Sequence, residues 1–238
     1  MLTVVSDRNP KEFAAIYTCF HAPITELDCG QKCAPHNDYG IPFCCDTRHA
    51  VPTAYHSEWA YLKANTELWH LWKGDDTEVF AELRAETPPG QILIACLGHE
   101  HCQREYRSIT CRAFPFFPYF NSKSDFLGLS YYWEYEDSCW LISNLQMVGA
   151  GYRQTFIKAY EVLFGIFPEE IRNFRSYSDF MRRAFKGDRR AITLLHRNGN
   201  VYKISPHNER MRRVKVEALT KFDVYKIAAS MPFPDEMD

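Results

Sequence analysis

The sequence lacks any apolar run long enough to span a bilayer. Its start, Met1 to Arg8, has no basic segment followed by a long apolar stretch, so no secretory leader is read there. It contains no phosphate-cradling glycine loop, no nucleophile elbow and no zinc-protease helix pattern. No pair of carboxylates has a spacing that names a reaction, and there are no internal repeats or low-complexity segments. These absences leave the commonest motif-borne chemistries without residues. They lead us to expect a soluble, cytoplasmic chain with no membrane partner.

Cysteine is plentiful, with nine in 238 residues. In a reducing compartment so many thiols are read as ligands or reactive groups before they are read as disulfides. The net charge of -2 hides an asymmetry. Residues 1–150 hold 11 of the 28 Lys and Arg and 19 of the 30 Asp and Glu, a balance of -8, and the remainder carries +6. The basic residues are spread over several elements, which favours solvated faces over a nucleic-acid footprint. The pairs Arg182-Arg183, Arg189-Arg190 and Arg212-Arg213 are read the same way.

The pattern predicts a helix from Pro10 to about Tyr17, then a polar loop over 19–56 rich in Cys, Pro, His, Asp and Gly. Helices are expected at Ser57–Trp72, Thr77–Glu86, Arg153–Phe164 and Glu169–Phe185, and a short strand at Gln91–Cys96. Gly128–Tyr135 and Trp140–Ser143 are expected to form a hairpin across 136–138. A second hairpin should turn at Asn198-Gly199. The fold class expected is α+β, mainly helical, with short strands and hairpins around a cysteine-rich, metal-organised loop core. We divide the chain into a cysteine-cluster metal-binding domain, 1–145, and a helical and hairpin extension packed on it, 146–238.

The cysteines are grouped. Three residues separate Cys29 from Cys33, Cys44 and Cys45 are adjacent, and Cys96, Cys102 and Cys111 form a second set. Thiolates are soft ligands that favour zinc and iron–sulfur centres, and the first spacing suits paired zinc ligands. Core packing explains a lone buried cysteine, and it accounts for Cys19 and for Cys139. It accounts poorly for Cys29, Cys33, Cys44 and Cys45, which lie in a polar stretch. Side chains of adjacent residues diverge, so one of Cys44 and Cys45 ligates while the other packs, or the two serve different metals.

The order Cys29-Gly-Gln-Lys-Cys33, Phe43-Cys44-Cys45, Cys96-Leu97, Cys102, Tyr106-Arg107 and Cys111-Arg112-Ala-Phe114-Pro115 resembles the YkgJ family of cysteine-cluster proteins with a zinc- or iron-chelating domain. Glu58 stands where that family often has a Glu opening a helix. The likeness covers roughly residues 19–120. Three residues rather than two separate the first pair, ten separate Cys33 from Cys44, and Arg107-Ser108 replaces an Arg-Pro. The resemblance implies a metal-chelating role, adds Cys139 to the ligand set, and tilts the metal toward iron–sulfur.

The ligand set expected is therefore Cys29, Cys33, Cys44, Cys45, Cys96, Cys102, Cys111 and Cys139, around a 4Fe–4S iron–sulfur cluster or zinc. His36 and His101 are the histidines to test first. His99, His21, His49 and His56 also border cysteines, and each alone is read as a surface group. The aromatic run from Phe114 to Phe120 is read as packing around the metal. Three functions stay open: a redox or modifying iron–sulfur protein, a zinc-stabilised interaction module without catalysis, and a metal-handling protein. The partner would be a protein or small molecule.

Overall fold

The computed structural model describes residues 10–74 and 76–225. Helix α1 (Pro10–Cys19) begins with a proline, whose missing N–H costs nothing at a helix start. Phe13, Ile16, Tyr17 and Phe20 recur at helical spacing and are all buried. They pack on α3 (His56–Asn65) and on the long helix α7 (Ala150–Ile166). Phe13 meets Tyr55 and Phe167, and Phe20 meets Tyr152 and Phe156.

Between α1 and α3 lie the single-turn helix α2 (Gly30–Cys33) and strand β1 (Thr53–Tyr55). The helix expected over 57–72 stops at Asn65. Thr66 turns extended, and its Oγ1 accepts from the Leu68 N–H at 3.1 Å. This side-chain bond offers the backbone an alternative to the helix. Trp69–Leu71 then forms strand β2 against β3 (Gln91–Cys96), after helix α4 (Thr77–Glu86). Trp69 is buried and donates its Nε1–H to the Tyr106 carbonyl at 2.7 Å. Trp69 and Trp72, three apart, share a face only in a helix, and long-range pairing with β3 overrides that local signal. The small sheet runs antiparallel in the order β1-β3-β2.

A five-stranded antiparallel sheet follows in the order β4 (Phe116–Phe120), β5 (Phe126–Tyr131), β6 (Ile192–His196), β7 (Val201–Ile204) and β8 (Met211–Val214). The short helices α5 (Ile109–Ala113) and α6 (Trp140–Ser143), and α7 and α8 (Glu169–Gly187), complete the fold. Strands from either side of residue 145 share this sheet. Alternation along the strands sends Phe116, Leu129 and Leu195 toward α7 and α1, and Phe117, Leu194 and Ile204 toward Met181 and Phe185 of α8. Both faces are thus covered. Pro118 sits in β4, at the edge of the sheet, where a residue without an N–H is tolerated. That edge is closed by α8: Ser178 Oγ accepts from the Phe120 N–H at 3.0 Å, and Arg182 donates to the Phe120 carbonyl at 2.7 Å.

Two expectations are corrected. The hairpin of 128–135 with 140–143 does not form. β5 pairs with β4 and β6, Trp133–Tyr135 is a single turn, and Trp140–Ser143 is α6. The apolar strand 116–120 outcompetes the polar segment for β5. The cysteine-rich, metal-organised loop core is also overturned. The chain is α+β, with two antiparallel sheets, and its core is built of aromatic and aliphatic side chains. Cys96, Cys111 and Cys139 lie only at the fringe of the larger cluster. The aromatics assigned to packing around a metal make a core by themselves. The Asn198-Gly199 turn forms as expected between β6 and β7, with Gly199 at φ +86°.

Candidate metal centre

Each cysteine is held by a distinct local device. Asp28 Oδ1 accepts from the Gly30 N–H at 3.0 Å, starting the turn of α2. One helical turn then sets Cys29 and Cys33 on the same side. Cys44 and Cys45 lie on a tight turn over 43–45, their Sγ atoms 4.0 Å apart. Asp46, buried beside them, accepts from Arg48 twice at 2.7 Å and from Asn37 Nδ2 at 3.0 Å. The Arg48 bonds hold its carboxyl well below the usual carboxylate range. Cys96 ends β3, Cys102 follows a turn at 99–101, and Cys139 precedes α6. Cys111 sits in α5, whose start is capped by Ser108 Oγ, accepting from the Cys111 N–H at 3.2 Å.

Electrostatics group these thiols. Burial pushes Cys29 up to about 11, and a charge on Cys33 adds to it. Cys139 rises to about 12 through burial, with Cys29 and Cys33 as further opposing charges. Cys44 rises through its contact with Cys45, its burial, and charge on Cys139 and Cys33. Cys111 rises to about 12 through burial, with Cys96 and Cys45 adding. Cys96 rises through burial, then Cys45 and Cys102. Two neighbourhoods result: Cys29, Cys33, Cys44 and Cys139, and Cys45, Cys96, Cys102 and Cys111. The adjacent pair joins the two: Cys44 and Cys45 touch, and charge on Cys45 acts on Cys33. Cys45 alone is lowered, by its bond to Cys44 and then by Arg107. Cys19 lies outside both groups, packed against the core.

Arg107 is the cation of the cluster. Its Nε donates to Cys102 Sγ at 3.0 Å, and its charge reaches Cys29, Cys45 and Cys111. Burial works against its charge, but the thiolates around it hold its pKa above the ordinary value. Arg112 fixes the loop that carries it, donating to the carbonyls of Arg107 at 2.9 Å, Glu105 at 2.6 Å and Phe20. Its guanidinium lies 4.2 Å over the Tyr17 ring. Glu58, fully buried, accepts from Tyr17 Oη at 2.8 Å, the Ile109 N–H at 2.7 Å and the Tyr55 N–H at 3.3 Å. One carboxyl thereby ties α1, α3 and α5 together behind Cys111. A cleft of about 580 Å³ opens over Cys45 and Cys96, rimmed by Arg48, His70, Trp72 and Lys73.

Sequence reasoning assigned Arg107 no role of its own. The signal was a basic residue between two cysteines in an acidic half of the chain. His99 and His101 are exposed, and His36 rests edge-on against Tyr225 with ring centroids 5.6 Å apart. In donor type, the thiols fit a soft metal. In position, no group of three or more His, Cys, Asp or Glu side chains among the described residues is arranged to hold an ion. Holding one requires the thiols of a neighbourhood to draw together. Set against protein-family models, curated proteins and solved structures, the chain matches none.

Proposed function

We propose that this chain is a metal-binding protein with two neighbouring four-cysteine sites. Cys29, Cys33, Cys44 and Cys139 form one, and Cys45, Cys96, Cys102 and Cys111 the other. What supports the reading is that the eight thiols, from separate segments, fall within electrostatic reach of others in the set, and that six of them are harder to ionise than a free thiol. The single charge of Arg107 cannot neutralise eight thiolates. A metal supplies further positive charge, and a coordinating thiol is deprotonated outright. The resemblance to the YkgJ family in residues 19–120 supports the same reading.

The metal is an iron–sulfur cluster of the 4Fe–4S type, with zinc as the alternative. The cleft over Cys45 and Cys96 supports a redox or modifying role toward a small molecule or protein, since a purely structural site needs no entrance. Anaerobic purification of the full chain, followed by metal and acid-labile sulfide analysis, tests this. Visible absorbance with iron and sulfide is expected. Colourless protein with stoichiometric zinc would convert the reading to a zinc-stabilised module. Folded protein that neither carries nor takes up metal would end it.

A further inference from the structure

The larger sheet ends at β8, which pairs with β7 and has no strand on its other side among the described residues. The ladder fixes where its backbone groups point. Ser205 N–H donates to the Arg210 carbonyl at 3.1 Å, and antiparallel pairs alternate from there between bonded and unbonded. On the far side of β7, His196 N–H donates to the Asn200 carbonyl at 2.9 Å, which turns Tyr202 and Ile204 toward β6 and agrees with that alternation. Arg212 and Val214 therefore bond to Lys203 and Val201, while the N–H and C=O of Met211 and Arg213 turn away from β7. No other backbone segment among the described residues bonds to those groups. Lys215, at φ -77° and ψ 136°, is still extended.

This open edge is basic. Arg210, Arg212, Arg213 and Lys215 are exposed, and none of them is in an ion pair among the described residues. Glu209, the acid next to the strand, is taken up by the Ser122 N–H at 2.9 Å and by Arg182 at 3.4 Å. Val214 packs against the core, so alternation puts Arg212 on that face of the sheet, beside Lys203 of β7, and Met211 and Arg213 on the other. Positive charge thus flanks the edge on both faces.

From this geometry we infer that β8 is a docking edge for an extended acidic peptide segment of a partner protein, which adds a strand to the sheet. The outward row of β8 alternates donors and acceptors, and a peptide backbone supplies both. Nucleic-acid phosphates only accept, so they match half of that row. Because Arg212 and Arg213 lie on opposite faces, the peptide needs acids at successive positions, one for each face. Opposite charge speeds the encounter, and the backbone bonds hold the strand in place. None of the cysteines belongs to this edge, so docking here does not require the metal.

Fluorescence anisotropy with the full chain and a labelled peptide, Thr-Val-Glu-Asp-Glu-Val-Thr, tests the edge. Saturable binding that weakens with added salt is expected. The same peptide with lysine for every acid should not bind. Exchanging both Arg212→Glu and Arg213→Glu should weaken binding at least about tenfold. Both side chains are exposed, so the thermal midpoint should hold. Met211→Pro removes an outward N–H and no charge, at an edge position where proline is tolerated. It too should weaken binding. Should that variant fail to fold, the peptide N-methylated at its acidic residues decides in its place: it keeps every charge, cannot pair as a strand, and should not bind. Absence of saturation overturns the proposal, as does parent-like affinity in the doubly reversed variant, in Met211→Pro or with the N-methylated peptide. Oligothymidylate that displaces the peptide and binds more tightly would overturn it in favour of a nucleic-acid surface.

Discussion

Glu58 sets three donors against burial, and burial wins. Desolvation raises its carboxyl to about 7, although the Ile109, Tyr17 and Tyr55 bonds pull the other way. A folded-state pKa above the unfolded one means that its contribution to stability is full below about 4.5. That contribution is lost as pH rises through about 7. The shift corresponds to about 3 kcal/mol. We expect the stability of the parent chain relative to Glu58→Gln to fall by up to that amount between these limits, read by urea unfolding at several pH values. A pH-independent difference would show that burial does not shift this carboxyl between the folded and unfolded states. The cysteines divide at the same scale. Cys111→Ser should lower metal content and soluble yield together. Cys19→Ser should leave metal content unchanged and cost no more than an ordinary core polar substitution, about 1–3 kcal/mol. Equal metal in both variants would remove Cys111 from the ligand set.

Among the elements, β5 passes close to the backbone of β6 at Gly128. Gly128 has φ +148°, and a Cβ there would stand 2.3 Å from the Leu195 carbonyl oxygen. Gly128→Ala should therefore destabilise the chain by at least about 1–3 kcal/mol, seen as a lowered thermal midpoint. An unchanged midpoint would mean that β5 and β6 can part at no cost. The sequence showed which elements were local. Thr77–Glu86, Gln91–Cys96 and the Asn198-Gly199 hairpin are written in caps, short apolar runs and turn chemistry, and they stand where those signals put them. Trp69–Leu71 was illegible as a strand because its partner, β3, lies beyond an intervening helix. The pairing of β5 with β6 was hidden in the same way, by three helices inserted between them. Cysteine spacing marked the residues of the candidate site. Their division into two groups, with Arg107 among them, depends on tertiary packing that no local pattern encodes.

For the whole molecule, the two regions differ in what holds them. Polar loops over 19–56 and 97–112 bury few apolar groups to offset the entropy of ordering them. Residues 171–204 rest on Met181, Phe185, Ile192 and Leu194. Under the metal reading, chelation should open the two cysteine loops to protease well before 171–204, with cuts located by mass spectrometry. Loops protected equally in metal-free and loaded protein would mean that packing, not metal, orders them. The larger sheet carries a further consequence. α8 closes its β4 edge, so β8 is the strand with no sheet neighbour on its outer side among the described residues. Met211, Arg212 and Arg213 are exposed along it. Two copies meeting antiparallel at this edge, centred on the arginine pair, would set Arg212 against Arg213 twice, and like charges directly opposite repel. The basic pair thus opposes the joining of two copies through this edge. Replacing both arginines with threonine should raise the dimer fraction at high protein concentration, read by sedimentation velocity, and an unchanged distribution would mean that the charge pair does not guard this edge.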